Sequence, residues 1–207
     1  MRFLLLVLAA PFACAAATVF SVPSAGYLGT TQVVSFSAPD EAMLDSITDG
    51  ILSIAFSSSM RASTVGNNWA SWGSPPDTES ATPRVLWSGL DNDFNPILSV
   101  TFTFNKPVTT FGFEAQPDVL STFPMSADFY LAGVLQQTVT RDVDGDGGAL
   151  LFALQADPGR AFDSVIFHSD VDWAAGQFRY ATGAVPEPYS VVLATAGLIF
   201  IFLRKKS

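Results

Sequence analysis

Ser99-Val100-Thr101-Phe102-Thr103-Phe104 alternates polar and apolar side chains without a break. After Asn105-Lys106-Pro107 the chain resumes as Val108-Thr109-Thr110-Phe111-Gly112-Phe113-Glu114, with apolar residues again at 111 and 113. A two-residue period is what a strand needs when one face packs on a core and the other meets water. Phenylalanine and threonine both sit comfortably on a pleated surface. Asn105-Lys106-Pro107 reads as punctuation, so the stretch predicts two strands joined by a hairpin or tight connection.

Working outward, the same signals recur. Residues 127–131 and 134–141 flank Ala132-Gly133 and predict a hairpin, and residues 148–154, 162–169 and 177–181 read as further short strands. Upstream, 32–36, 50–57 and 84–87 are strand candidates, while 60–83, rich in Ser, Pro, Gly and Asn, reads as a long loop on one edge. About eight to ten short strands with turn residues between them, and no long segment of period 3.6, predict an all-β fold. A single β-sandwich or jelly roll spanning 18–182 is the expectation. No fixed-period repeat occurs, which disfavours propellers and solenoids.

Composition narrows the partners. The 207 residues are 14% charged and 13% aromatic, with eighteen phenylalanines. Between 18 and 184, six Lys and Arg face eighteen Asp and Glu, a net charge of −12. Such a surface repels phosphate backbones and has no basic patch to release counterions, so nucleic acid is excluded as a partner. Divalent cations and extracellular polysaccharide remain compatible with it.

Asp142-Val143-Asp144-Gly145-Asp146-Gly147 fits the opening of a calcium loop, where carboxylates at alternate positions converge and a glycine makes the sharp turn. Position twelve of a loop starting at Asp142 would be Ala153 in place of a bidentate glutamate, and no flanking helices are predicted, so a complete EF-hand is excluded. A shorter calcium turn on Asp142, Asp144 and Asp146 is one reading; a hairpin turn built from Asp and Gly is the other. Asp170 and Asp172 read as a solvated acidic pair. Trp69 and Trp72, in the irregular loop, are either exposed platforms for sugar rings or plugs for the end of the core. Trp87 and Trp173 read as core.

Catalytic signals are sparse. His168 is the single histidine and reads as an edge or satisfied side chain, and no G-x-S-x-G, H-E-x-x-H or phosphate-loop pattern occurs. Glu114, among Phe111, Phe113 and Pro117, is the carboxylate expected to be raised by desolvation. The chain reads as non-enzymatic, with no certain cofactor beyond a candidate Ca2+.

The two ends have their own grammar. Residues 1–17 read as a secretory signal helix: Arg2, an apolar core, then small residues, with Ala15-Ala16-Ala17 or Ala13-Cys14-Ala15 as the cleavage signal. Signal peptidase and the Sec translocon are the partners this implies. Cys14 is the single cysteine, so cleavage after Ala17 leaves a body with no disulfide or thiol chemistry.

At the other end, 183–207 carries three parts in order. They are Val185-Pro186-Glu187-Pro188, an apolar run over 189–203, and Arg204-Lys205-Lys206. Two prolines keep helix out of the tetrad. The fifteen-residue run makes a short transmembrane helix of about 22 Å, and the basic end stays cytoplasmic.

This tail resembles the PEP-CTERM sorting signal of bacterial exported proteins. Pro186, Glu187 and Pro188 match its motif, and Arg204 to Lys206 match its basic cluster. The resemblance implies recognition by an exosortase-type enzyme that processes the tail at the inner membrane. The body also resembles an acidic, phenylalanine-rich β domain of exported PEP-CTERM proteins, through Thr110 to Pro117, Ala127-Asp128-Phe129-Tyr130 and Ser164 to Tyr180. The expectation is an exported cell-surface or matrix protein, held transiently in the membrane with its body outside. A carbohydrate-binding module and a secreted hydrolase are the alternatives.

Overall fold

In the computed structural model, which describes residues 17–91 and 93–183, the alternating phenylalanines meet between two layers of strands. The strands are β1 (Thr18–Phe20), β2 (Gln32–Val33), β3 (Met43–Thr48), β4 (Ser53–Thr64), β5 (Arg84–Trp87), β6 (Ser99–Val108) and β7 (Thr110–Pro117). They continue with β8 (Thr122–Leu131), β9 (Val134–Asp144), β10 (Leu150–Gln155), β11 (Phe162–Ser169) and β12 (Trp173–Ala181), and one short helix, α1 (Ala25–Thr30), follows β1.

All ladders between these strands are antiparallel, and they run β1-β10-β7-β12-β5-β4-β6-β11-β8-β9, with β2 added on β12 and β3 on β4. The ribbon doubles over at the β5–β4 pairing. One layer is then β1-β10-β7-β12-β5 and the other β4-β6-β11-β8-β9. Between them Phe113 meets Phe102 and Phe167 edge-on at 5.1 Å, and Phe167 meets Trp173 at 4.5 Å. Such edge-to-face pairs add to the burial of each ring. The expected sandwich of jelly-roll type is the observed architecture.

The doubled ribbon leaves a seam between β9 and the β10/β1 edge. Arg141 of β9 crosses it, donating through Nε to the Leu151 carbonyl at 2.6 Å and through Nη2 to the Phe20 carbonyl at 2.8 Å. At the other extreme, Thr18, Gln155, Thr110 and Ala181 face one another in a single row across β1, β10, β7 and β12.

Three details depart from the sequence reading. Asn105-Lys106-Pro107 does not end a strand: β6 runs through to Val108 and the chain turns at Thr109. The ladder to β4 stops at Phe104, and the ladder to β11 slips between Phe162 and Ser164, so Pro107 lies where no partner requires its missing N–H. β6 and β7 belong to different layers, and Thr109 makes the corner, donating to the Ala181 carbonyl and accepting from Ala156 N–H, each at 2.8 Å.

The loop expected from residue 60 begins five residues later, because β4 extends to Thr64 with Met60 and Ala62 buried. Strand β3 and helix α1 were not foreseen. The expected hairpin at Ala132-Gly133 is present, with both residues at positive φ, 50° and 75°, as a two-residue turn between right-twisted strands requires. The signal helix, the 185–188 motif, the 189–203 helix and the basic end fall outside the described residues. Among those described, no helix is long and apolar enough to cross a membrane.

Candidate functional site

The two layers present their outer faces differently. Along β7, Phe111, Phe113 and Ala115 point into the core, so Gly112, Glu114 and Gln116 point outward, yet every residue of the strand is buried. A roof covers this face. Tyr27 of α1 packs with Leu151 and Ala153, and the chain between β4 and β5 lays Val65, Trp69 and Trp72 against Val85, Ala149 and Ala174. Gly112 makes room for the helix: a Cβ there would fall 2.3 Å from Ala153 Cβ and 2.6 Å from the Tyr27 hydroxyl.

Glu114 fastens the roof. Its Oε2 accepts from Trp72 Nε1 at 3.0 Å and its Oε1 from Glu79 N–H at 2.6 Å. Arg179 of β12 binds the Glu79 carboxylate through Nε at 2.6 Å and donates to the Thr31 carbonyl at 3.2 Å. Burial drives the Glu114 carboxyl up from 4.5 to about 7, against the two N–H donors, and the Glu79 carboxylate adds to the rise. The expectation for Glu114 holds, and its neighbours give it a fastening role.

Trp69 and Trp72 are each 6% exposed. Neither ring offers a face to a sugar, so the stacking role considered for them is replaced by that of apolar plugs within the roof. The physical reason is the apolar outer face of β5, β10 and β12, which needs a cover. Trp173 is buried between the layers, as expected. Trp87 is half-buried, with Arg61 4.7 Å above its ring and its Nε1 donating to Asp172 Oδ2 at 3.1 Å.

The calcium turn is also revised. Asp142 lies on β9 and Asp144 ends it; Asp144 Oδ1 accepts from Asp146 N–H at 3.0 Å and Asp144 O from Gly148 N–H at 3.1 Å. The segment is a tight turn from β9 towards β10, with its carboxylates exposed. Among the described residues, no group of three or more His, Cys, Asp or Glu side chains is placed to hold a metal ion.

Among the described residues, the opposite layer has no roof. Its outer face is set by the alternation that predicts the strands. Ser99, Thr101 and Thr103 point outward from β6, Ser164, Ile166 and His168 from β11, Ser126, Asp128 and Tyr130 from β8, and Thr138 and Thr140 from β9. Register aligns them in rows across the strands: Ser99, His168, Ser126 and Thr140 in one, Thr101, Ile166, Asp128 and Thr138 in the next.

A shallow groove of about 400 Å³ follows the first row, with Leu98, Pro124 and Met125 among its walls. His168, one of its lining residues, places Nε2 3.4 Å from Asp128 Oδ2 in the neighbouring row, while Asp128 Oδ1 accepts from Thr138 Oγ1 at 2.6 Å. The imidazole is directed at a carboxylate, and no hydrogen bond joins it to neighbouring Ser126. The groove therefore offers hydroxyls, one imidazole and carboxylates for recognition. Asp128, Ser126, Thr138 and Thr140 escaped sequence reading, although the two-residue period already placed them outward.

No family model matches the chain, and no curated protein matches it. Among solved structures, a variant of a family 29 carbohydrate-binding module aligns with a TM-score of 0.34 at 10% identity, over 76% of this chain and 96% of that one. The module CsCBM6-3 from Clostridium stercorarium, solved with cellobiose, gives 0.30 at 10% identity, over 58% and 87%. The enzymatically active domain of a tailspike protein of bacteriophage CBA120 gives 0.32 at 16% identity over 64% of this chain, which spans 19% of that protein. None of the three bears on the chemistry of the faces described above.

Proposed function

We propose that this is an exported cell-surface protein, delivered through its PEP-CTERM-like tail, whose β domain binds neutral polysaccharide along the open face around His168. One observation carries the binding reading: one layer is roofed by an apolar, hydrogen-bonded cover, while the other leaves bare a groove lined by Ser, Thr, His and Asp. Sugar hydroxyls donate and accept at once, and serine and threonine hydroxyls answer both needs. The first row crosses four strands, about 14 Å from end to end at the usual spacing, which suits a short run of rings within a longer chain. Leu98 and Pro124 supply apolar contact for C–H faces. The acidic body, with Asp170 lining the groove and Asp128 beside His168, selects against polyanions.

Affinity electrophoresis and calorimetry of the full chain against neutral and acidic polysaccharides test the reading. Binding to a neutral polymer should fall at least tenfold in His168→Ala and in Thr140→Val, with the melting temperature held. Unchanged binding in both variants, or no binding to any neutral polymer, overturns it. Delivery has a separate test. A stop codon after Gly183 should move the protein from the membrane fraction to the soluble one, and unchanged fractionation removes the anchor.

A further inference from the structure

A second polar site lies at the far end of β7, on the roofed side. Gln116 is 1% exposed. Its amide orientation is set by Nε2, which donates to the Gly145 carbonyl at 2.7 Å and to Ser71 Oγ at 3.2 Å. That leaves Oε1, a buried acceptor with no donor in reach among the described residues. Buried acceptors are rarely left so, and an orphan points to something that completes it.

Gln116 lines a small cavity of about 80 Å³ together with Trp69, Ser71, Asp118 and Gly145. Just beyond the end of the strand, Asp118 enters the same cavity, and its N–H donates to the Asp172 carbonyl at 2.9 Å, which sets the two aspartates side by side. Trp87 Nε1 holds the Asp172 carboxylate by one oxygen. Among the described residues neither aspartate pairs with a Lys or Arg. Gln116 and Asp118 thus share the cavity wall, with Asp172 next to Asp118, which brings two carboxylates and an unpartnered amide oxygen, all hard oxygen donors, to one end of the sandwich.

We propose that Asp118, Asp172 and the Gln116 amide oxygen hold a divalent cation of the calcium type at this cavity. Oxygen-only ligands of mixed type, at the rim of an irregular loop, suit calcium, which accepts variable geometry and retains water ligands; magnesium demands a near-ideal octahedron. Only two carboxylates take part, so water and main-chain carbonyls complete the shell. The Asp-Gly turn contributes from above. Gly145 sits so close to Val119 that a Cβ would fall 1.7 Å from its carbonyl oxygen, and only glycine lets the turn close over the cavity. The acidic turn is thus the lid of the site, and its own carboxylates are not the ligands.

The test uses the full chain stripped with chelator. Calcium chloride should bind with a stoichiometry of one by calorimetry, and at a hundredfold excess over Kd should raise Tm by about 5–10 °C. Asp118→Asn and Asp172→Asn should each abolish both effects, whereas Asp146→Asn on the turn surface should keep them. Terbium gives a readout independent of stability. Trp69 borders the cavity, so terbium emission excited through tryptophan should appear, be displaced by calcium and drop in Trp69→Phe. No calcium heat and no sensitised emission in the wild type overturn the site, as does a response that survives Asp118→Asn.

Discussion

Replacing Glu114 by Gln should flatten the dependence of stability on pH. Glu114 is wholly buried beneath the roof, and burial raises its carboxyl from 4.5 to about 7. Each tenfold change in proton affinity is worth about 1.4 kcal/mol, so the full rise is worth about 3 kcal/mol. The sign follows from linkage. The unfolded chain gives up this proton near pH 4.5 and the folded chain only near 7, so stability is complete below the first value and declines until pH passes the second.

For a domain of this size that decline corresponds to about 6–12 °C in Tm. Asp118, raised to about 6 by desolvation and the adjoining Asp172 carboxylate, adds a smaller contribution of the same sign. Asp40, Asp49 and Asp91 are shifted downward, so their contributions are lost only as pH falls below the ordinary carboxylate range.

Glutamine keeps one acceptor for the two donors, Trp72 Nε1 and Glu79 N–H, and leaves the other facing an amide NH2. An unmet buried donor costs about 1–3 kcal/mol. The variant should therefore melt below the wild type at pH 5 and draw level with it near pH 8. Thermal melts from pH 4.5 to 8 at fixed ionic strength, in chelator to keep cations out, decide the matter. Two parallel profiles would refute the assignment of the slope to Glu114.

Three further outcomes follow from the packing. Gly112→Ala places a methyl within 2.9 Å of the Ala153 backbone and 2.6 Å of the Tyr27 hydroxyl, so it should cost about 3 kcal/mol in urea melts and speed hydrogen exchange in α1. Arg141→Ala leaves the Leu151 and Phe20 carbonyls without their donor across the seam. Hydrogen exchange in β1 and β10 should then accelerate at least tenfold while β8 and β11 stay protected. Phe113→Ala removes the ring that meets Phe102, Phe152, Phe167 and Phe178 and should cost about 3–5 kcal/mol by the same melts.

Alternation made the fold class legible, because β6, β8 and β11 each have one wet face and one dry face. The same rule fails where both faces are covered. β7 is buried throughout: the phenylalanines around Glu114 hinted at its burial, but nothing in the sequence marked Gln116 or named the roof that covers them both. The roof itself was illegible for a related reason: Trp69 and Trp72 sit among Ser, Gly and Pro, and nothing local says which distant strand they cover. Asp142, Asp144 and Asp146 have metal spacing, but spacing along one strand and turn does not make carboxylates converge. The groove was half legible. His168 was visible as a residue, but its neighbours Asp128 and Thr140 come from strands 28 to 40 positions earlier, and only register brings them together.

The row of Thr18, Gln155, Thr110 and Ala181 has a mechanical consequence. Three strand spacings, about 14 Å, separate the two ends of the described body, and both leave from one end of the sandwich. A load drawn between them pulls across the strands and opens ladder bonds one at a time, instead of shearing many at once. β1, with three residues, should peel first, at a low rupture force in single-molecule pulling, while the Phe102–Phe113–Phe167 stack stays shut.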